Sequence, residues 1–163
     1  MVEPAYQELQ ASDIPQGNQN GVRVKVIAGE SMGIKSPVRT RTPTYYLDFT
    51  MEPESSYTQL VPEGWTTFAY TLEGQVTFSS TKTIKAHHTV VLSKDGNQIA
   101  FKNGQQKSRF VLISGEPINE PIVQHGPFVM NTKEEILQTI EDYQEGKNGF
   151  EMAHQWKSIE GNK

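Results

Sequence analysis

From Gly21 the chain alternates strictly, with Val22, Val24 and Val26 on one side and Arg23 and Lys25 on the other. The same period returns from Tyr45, where Tyr45, Leu47, Phe49 and Met51 oppose Asp48, Thr50 and Glu52. A repeat of two sends successive side chains to opposite faces, so both runs predict half-buried strands and exclude helices. Pro53, which cannot donate to a ladder, stops the second run.

Similar short runs follow. Thr66–Leu72, with Phe68, Tyr70 and Leu72 in phase, reaches Glu73-Gly74 and then Gln75–Phe78, which predicts a hairpin. Thr89–Leu92 and Gln98–Phe101 flank Lys94-Asp95-Gly96-Asn97, and Asp-Gly supplies the positive φ of a tight turn, which predicts a second hairpin. Arg109–Ile113 is nearly unbroken and apolar, as in a strand buried on both sides, and Ile122-Val123 adds one more. About eight short strands with glycine turns and no interleaved helices predict an all-β antiparallel sandwich or jelly-roll barrel.

Two regions break the pattern. Residues 1–20 are mostly polar and end in Pro15-Gln16-Gly17-Asn18-Gln19-Asn20, which reads as a linker-like segment before a domain over 21–163. Gly29 to Thr44 is interrupted by Gly33, Pro37 and Pro43 and reads as a long loop or a short edge strand. At the other end, Thr132-x-x-Glu135 forms a capping box, Ile136, Leu137, Ile140 and Tyr143 share one face, and Gly146 can terminate the helix, which predicts a helix over 132–145. A further helical turn is expected between Phe150 and Trp156.

Composition narrows the function classes. The 163 residues, 35% of them hydrophobic, suit one compact core. Fifteen Lys and Arg against nineteen Asp and Glu give a net charge of −4, without the basic excess that neutralises DNA phosphates, so no direct nucleic-acid binding is expected. The absence of cysteine removes disulfides, thiolate zinc sites and cysteine nucleophiles. Neither a signal-peptide pattern at Met1-Val2-Glu3-Pro4 nor a membrane-length apolar run is present, which reads as a soluble intracellular protein with no membrane contact.

A long run, Gly115-Glu116-Pro117-Ile118-Asn119-Glu120-Pro121-Ile122-Val123-Gln124-His125-Gly126-Pro127-Phe128-Val129-Met130-Asn131-Thr132, closely resembles the C-terminal signature of the pirin family. Companion segments are Ser36–Pro43, Pro62–Thr66, Lys147–Glu151 and Trp156–Ser158, so the resemblance covers nearly the whole chain. Its clearest departure is the tip from Ser79 to Thr83, where a surface turn accepts change at little cost. The resemblance implies a cupin-type barrel and a parent of two facing barrels. Iron is then held by three histidines and a glutamate, all in the first barrel, so Fe is expected only in the N-terminal half that this chain lacks. It further implies a nuclear and cytoplasmic transcription coregulator that engages nuclear factor kappa B proteins and can oxidise quercetin as a quercetin 2,3-dioxygenase. Met-Val-Glu-Pro is similar to an internal segment of the family, so Met1 reads as an internal methionine used as a start.

The chemistry-bearing residues of this half fit no such centre. A cupin metal site needs two histidines one residue apart, a carboxylate shortly after, and a third histidine on a later strand. The expected region, Ser55 to Thr67, offers Gln59, Glu63 and Trp65 but no histidine, and Gln98–Phe101 and Arg109–Ile113 supply none. Adjacent His87 and His88 point to opposite faces of any strand and could share a metal only at a bulge or turn; one inward hydrogen-bonded ring and one surface ring is the preferred reading. His125, before Gly126-Pro127, reads as a turn-stabilising residue rather than an acid-base group, since no carboxylate or nucleophile stands at a telling spacing. Lys35, Arg39 and Arg41, near Tyr45 and Tyr46, form a basic trio that reads as solvated, with a partner contact as its functional alternative. Trp65 and Trp156 read as core or interface anchors.

The expectation is therefore a chain with no catalytic, cofactor-binding or metal-binding residues of its own, acting as a non-catalytic interaction module. Its partner would be a protein, or a second copy, meeting the face left by the missing half. The alternatives are quercetin 2,3-dioxygenase activity that needs the metal-binding half, and a fragment without independent function.

Overall fold

The computed structural model describes residues 5–79 and 82–158. The strands are β1 (Gln16–Gln19), β2 (Val22–Ala28), β3 (Glu30–Ser31), β4 (Ile34–Lys35), β5 (Thr44–Met51), β6 (Ser56–Leu60) and β7 (Thr66–Glu73). They continue as β8 (Gln75–Phe78), β9 (Lys82–Lys85), β10 (Thr89–Val91), β11 (Gln98–Asn103), β12 (Ser108–Gly115), β13 (Val123–His125) and β14 (Phe128–Met130), before helix α1 (Lys133–Glu145). The chain divides into two compact units, one ending at Ile118 and one from Asn119 onward, and the stretch expected as a domain over 21–163 includes residues of both.

The first unit is a pair of antiparallel sheets. One has six strands in the order β1-β2-β5-β12-β7-β10, the other four in the order β6-β11-β8-β9. Their inner faces enclose one cluster in which Val22, Val24, Val26, Leu47, Phe49, Met51, Phe110 and Leu112 are completely buried, as the alternation of β2 and β5 requires. Burying each such side chain contributes roughly 1.5–3 kcal/mol. The end of the linker-like segment is itself structured, because Gln16–Gln19 pairs with Gln19↔Val22 through Gln16↔Lys25 as an edge strand.

Both expected hairpins are crossings between sheets. β7 pairs with β12 and β10, whereas β8, one residue after it, pairs with β11 and β9 in the other sheet. β10 and β11 likewise lie in different sheets. Gly74 forms the first corner at φ +67°, where an added Cβ would stand 2.5 Å from the Lys107 carbonyl oxygen. A side chain is excluded there on two counts, left-handed backbone and contact with main chain.

The phase of β7 is the reverse of that expected. Thr67, Ala69 and Thr71 are buried inside, while Phe68, Tyr70 and Leu72 lie half-buried. β12, expected to be buried on both faces, alternates fully buried with half-buried residues. Small residues on β7 suit the space beside large neighbours: Thr71 is opposite Phe110 and Ala69 opposite Leu112.

The second unit holds the β13–β14 hairpin and α1. Thr132 caps the helix: its hydroxyl accepts from the Glu135 amide at 3.2 Å, and the Glu135 carboxylate accepts from the Thr132 amide at 2.9 Å. Gly146 ends it in the left-handed conformation, close to the predicted bounds. Phe128, Tyr143 and Phe150 pack ring against ring, with centroids 5.5 to 6.1 Å apart. Backbone turns follow from Phe150 to Trp156, as expected. Among the described residues no helix is long and apolar enough to cross a membrane.

Candidate functional site

Aromatic rings occupy the centre of the barrel. Phe49 on β5 faces its cross-strand partner Phe110 on β12, and Phe101 on β11 faces Phe78 on β8. One pair comes from each sheet, and the pairs meet: Phe49 to Phe101 is 4.9 Å, Phe101 to Phe110 5.0 Å and Phe78 to Phe110 5.2 Å between ring centroids. These edge-to-face contacts align ring edges with ring faces, each worth about 0.5–1.5 kcal/mol beyond area burial.

The segment tested for ligands, Ser55 to Thr67, contributes Gln59 to the interior. Its amide is already occupied: Oε1 accepts from the Ser31 hydroxyl at 2.6 Å, and Nε2 donates to the Leu60 carbonyl at 2.8 Å. Glu63 is exposed. At one end of the barrel Thr67 and Ser114 hydroxyls bond each other at 2.6 Å. Trp65 is half-buried there, with its ring 5.1 Å from Tyr45 in an edge-on arrangement, so it serves as the core anchor expected. Burial, with Glu30 nearby, holds the Tyr45 phenol above its ordinary pKa.

The histidines lie elsewhere. His87 and His88 occupy a turn and both are exposed, so the inward imidazole expected of the pair is not found. His87 has φ +65°, and His88 Nδ1 is 2.9 Å from the Ala86 carbonyl oxygen. His125 is exposed at the end of β13, next to the Gly126-Pro127 turn that joins β13 to β14. His154 is 3.0 Å from the Tyr143 carbonyl oxygen. Among the described residues no three His, Asp or Glu side chains are grouped so as to hold a metal ion. The four-ring packing and the committed amide of Gln59 do not fit an iron site in this half, and no step through a metal can be built on its residues.

The three members of the basic trio are all exposed. Lys35 pairs with Glu30 at 3.3 Å, the Arg39 amide donates to Gln7 Oε1 at 2.9 Å, and Arg41 is exposed. The charged groups that the fold does gather were missed in the sequence reading: Asp48 and Arg109, with Arg23 and Lys25 beside them on the outer face of the larger sheet. The outward phase of Arg23 and Lys25 on β2 and of Asp48 on β5 follows from their alternation, but that of Arg109 does not, and their adjacency depends on strand order. Trp156 is 72% exposed and anchors no core. Of the departing tip, Ser79 to Thr83, residues Ser80 and Thr81 lie outside the described residues.

Two antiparallel sheets closed around one core define a cupin-class barrel. Residues 46–149 match the Pirin C-terminal cupin domain. The chain is 58% identical to Pirin-like protein 2 of Arabidopsis thaliana, over 97% of this chain and 51% of that one. It is 52% identical to Pirin of Homo sapiens, over 99% of this chain and 57% of that one. A solved structure, quercetin 2,3-dioxygenase from Acinetobacter baumannii, superposes with a TM-score of 0.79 at 37% identity, covering 89% of this chain and 51% of that one. The chain belongs to the pirin family, and it spans about half the length of the curated relatives it matches.

Proposed function

We propose that this half of a pirin-type protein is a non-catalytic cupin domain that works by binding protein. The observation that carries the reading is the ring packing of Phe49, Phe78, Phe101 and Phe110 at the barrel centre, which leaves the interior to structure and the surface to function. Supporting it, the second unit exposes large apolar side chains: Ile122 by 79%, Leu137 by 67%, Met152 by 64% and Trp156 by 72%. Where such residues adjoin in one patch, they mark a surface that is covered in an assembly. The occupant we assign is the other half of a full-length pirin-type chain, since the relatives are about twice as long. Iron, a nuclear coregulator role and contact with nuclear factor kappa B proteins belong, on this reading, to that whole protein.

The second reading is quercetin 2,3-dioxygenase activity, favoured by the name of the superposing Acinetobacter structure. Metal analysis and a quercetin turnover assay on the purified chain separate the two. Stoichiometric iron with turnover would overturn the non-catalytic reading. Sedimentation across a concentration series should show self-association through the uncovered apolar surface; a clean monomer at high concentration would remove the docking surface from the proposal.

A further inference from the structure

We infer that the outer face of the six-stranded sheet carries a recognition cleft for an extended acidic peptide segment, with Arg23 and Lys25 as its anion contacts. The inference rests on the domain being an interaction module, and names the surface and the partner's chemistry. The cleft has a volume of about 250 Å³. It is built on strands, not loops: Arg23 lies opposite Thr50 and Lys25 opposite Asp48, with Arg109 across from Thr50 on the far side. Side chains held between paired strands present their charge from a rigid base, which lowers the ordering cost of binding.

Of the six charged groups lining the cleft, Asp48, Arg109 and Lys107 are paired, and Glu73 stands opposite Arg109 on β7, three strands from β2. Arg109 donates to both Asp48 oxygens, at 3.0 and 2.7 Å, and Lys107 stands 3.4 Å from Glu52. Arg23 and Lys25 have no ion pair among the described residues. Two unmatched cations side by side on a chain of net charge −4 form a local reversal of sign, and such reversals steer complementary partners.

The spacing selects the ligand. Arg23 and Lys25 are two residues apart on one strand, so their origins are roughly 7 Å apart. Carboxylates at positions i and i+2 of an extended peptide have the same separation, and Arg binds a carboxylate through paired N–H donors. A nucleic-acid backbone fits less well, since its unbroken run of phosphates would meet Glu73 and Asp48 as well as the two cations, whereas carboxylates at i and i+2 are confined to Arg23 and Lys25. One strand outward, β1 forms the free edge of the sheet, leaving that side of the cleft open to a second chain.

The test is fluorescence anisotropy with a labelled peptide alternating Glu and Ser, against a Gln-Ser peptide and a single-stranded DNA oligonucleotide, at low and near-physiological salt. The Glu-Ser peptide should bind and the Gln-Ser peptide should not. Arg23→Gln with Lys25→Gln should weaken binding about a hundredfold, the loss of two charge-assisted contacts at about tenfold each. Lys82→Gln with Lys85→Gln, which removes the same charge from the smaller sheet, should leave it within about twofold. Equal weakening by both pairs, no binding of the Glu-Ser peptide, or tighter binding of DNA would overturn the inference. If the Arg23 and Lys25 variant fails to fold, amide shifts of the unaltered chain on adding peptide decide the matter: they must cluster at residues 23–25, 48–50 and 109, and a cluster elsewhere overturns it. A chain that lacks iron and turnover yet ignores the peptide loses this inference alone. One that turns over quercetin loses the module reading, whatever the peptide does.

Discussion

Arg109 grips Asp48 with two nitrogens, Nε to Oδ1 at 3.0 Å and Nη2 to Oδ2 at 2.7 Å, across the two central strands of the larger sheet. The Asp48 side chain is 9% exposed and the Arg109 side chain 42%. The carboxylate's hydrogen bonds and charge hold the Arg109 proton more tightly than usual.

That asymmetry of exposure predicts unequal effects of truncation. Arg109→Met strands a nearly buried carboxylate and should cost about 2 kcal/mol, toward the lower end for a broken pair because Arg109 itself is well solvated. Asp48→Leu combined with Arg109→Met removes both charges and should recover most of that loss. Urea unfolding midpoints of the three proteins measure it; a double variant no more stable than Arg109→Met would show that the pair matters through packing instead.

Thr71 makes a second, opposite prediction. Its hydroxyl, like that of Ser108, is buried and has no hydrogen-bond partner among the described residues. Replacing it by the isosteric methyl of Val removes an uncompensated polar group and should stabilise the chain by about 1 kcal/mol. A thermal melt that moves downward for Thr71→Val would mean that the hydroxyl is satisfied in solution.

Strands whose apolar residues alternate with charge were legible residue by residue, and Val22–Val26 and Leu47–Met51 fall on the expected face. The inner phase of β7 was not, because apparent hydrophobicity favoured Phe68 and Tyr70, whereas the inside had room only for Thr67, Ala69 and Thr71 beside Phe110 and Leu112. The turns misled for a related reason. Glu73-Gly74 and Asp95-Gly96 reverse or redirect a chain with the same backbone chemistry, and whether the next strand pairs back or crosses to the opposite sheet is decided by long-range contacts. That Ser55 to Thr67 carries no histidine was legible from residue types alone, whereas the exposure of both His87 and His88 was not, because the pair stands at the turn between β9 and β10 instead of within a strand. Nor was the Arg23 and Lys25 cleft, since it needs β2, β5 and β12 to be neighbours.

Tyr45 sets an alkaline dependence. Its folded pKa is raised, by burial first and by Glu30 second, so the folded chain holds the phenol proton more tightly than the unfolded chain. The associated stability is fully present below the unfolded phenol value of about 10 and is lost as pH rises through the folded value. Tyr45→Phe should therefore flatten the fall in urea midpoint above about pH 10. An identical alkaline slope in the two proteins would dissociate Tyr45 from it.

The corner at Gly74 separates conformational strain from steric exclusion. Gly74 and Gly96 both have positive φ, +67° and +86°, but only at Gly74 does an added Cβ meet neighbouring main chain, with the Lys107 oxygen at 2.5 Å and Ser108 Cα at 3.1 Å; nothing lies within 4 Å at Gly96. Gly96→Ala should cost about 1–2 kcal/mol, the left-handed penalty alone. Gly74→Ala adds displacement of β12's entry, by about 1–3 kcal/mol more on the scale of overpacked sites. Because Gly74 marks the passage from the larger sheet to the smaller, that displacement should also reach the ring cluster between them. Near-ultraviolet circular dichroism of the folded variants reads this directly: the aromatic signal should fall for Gly74→Ala and stay unchanged for Gly96→Ala. Equal destabilisation with unchanged aromatic spectra would place both glycines in ordinary surface turns.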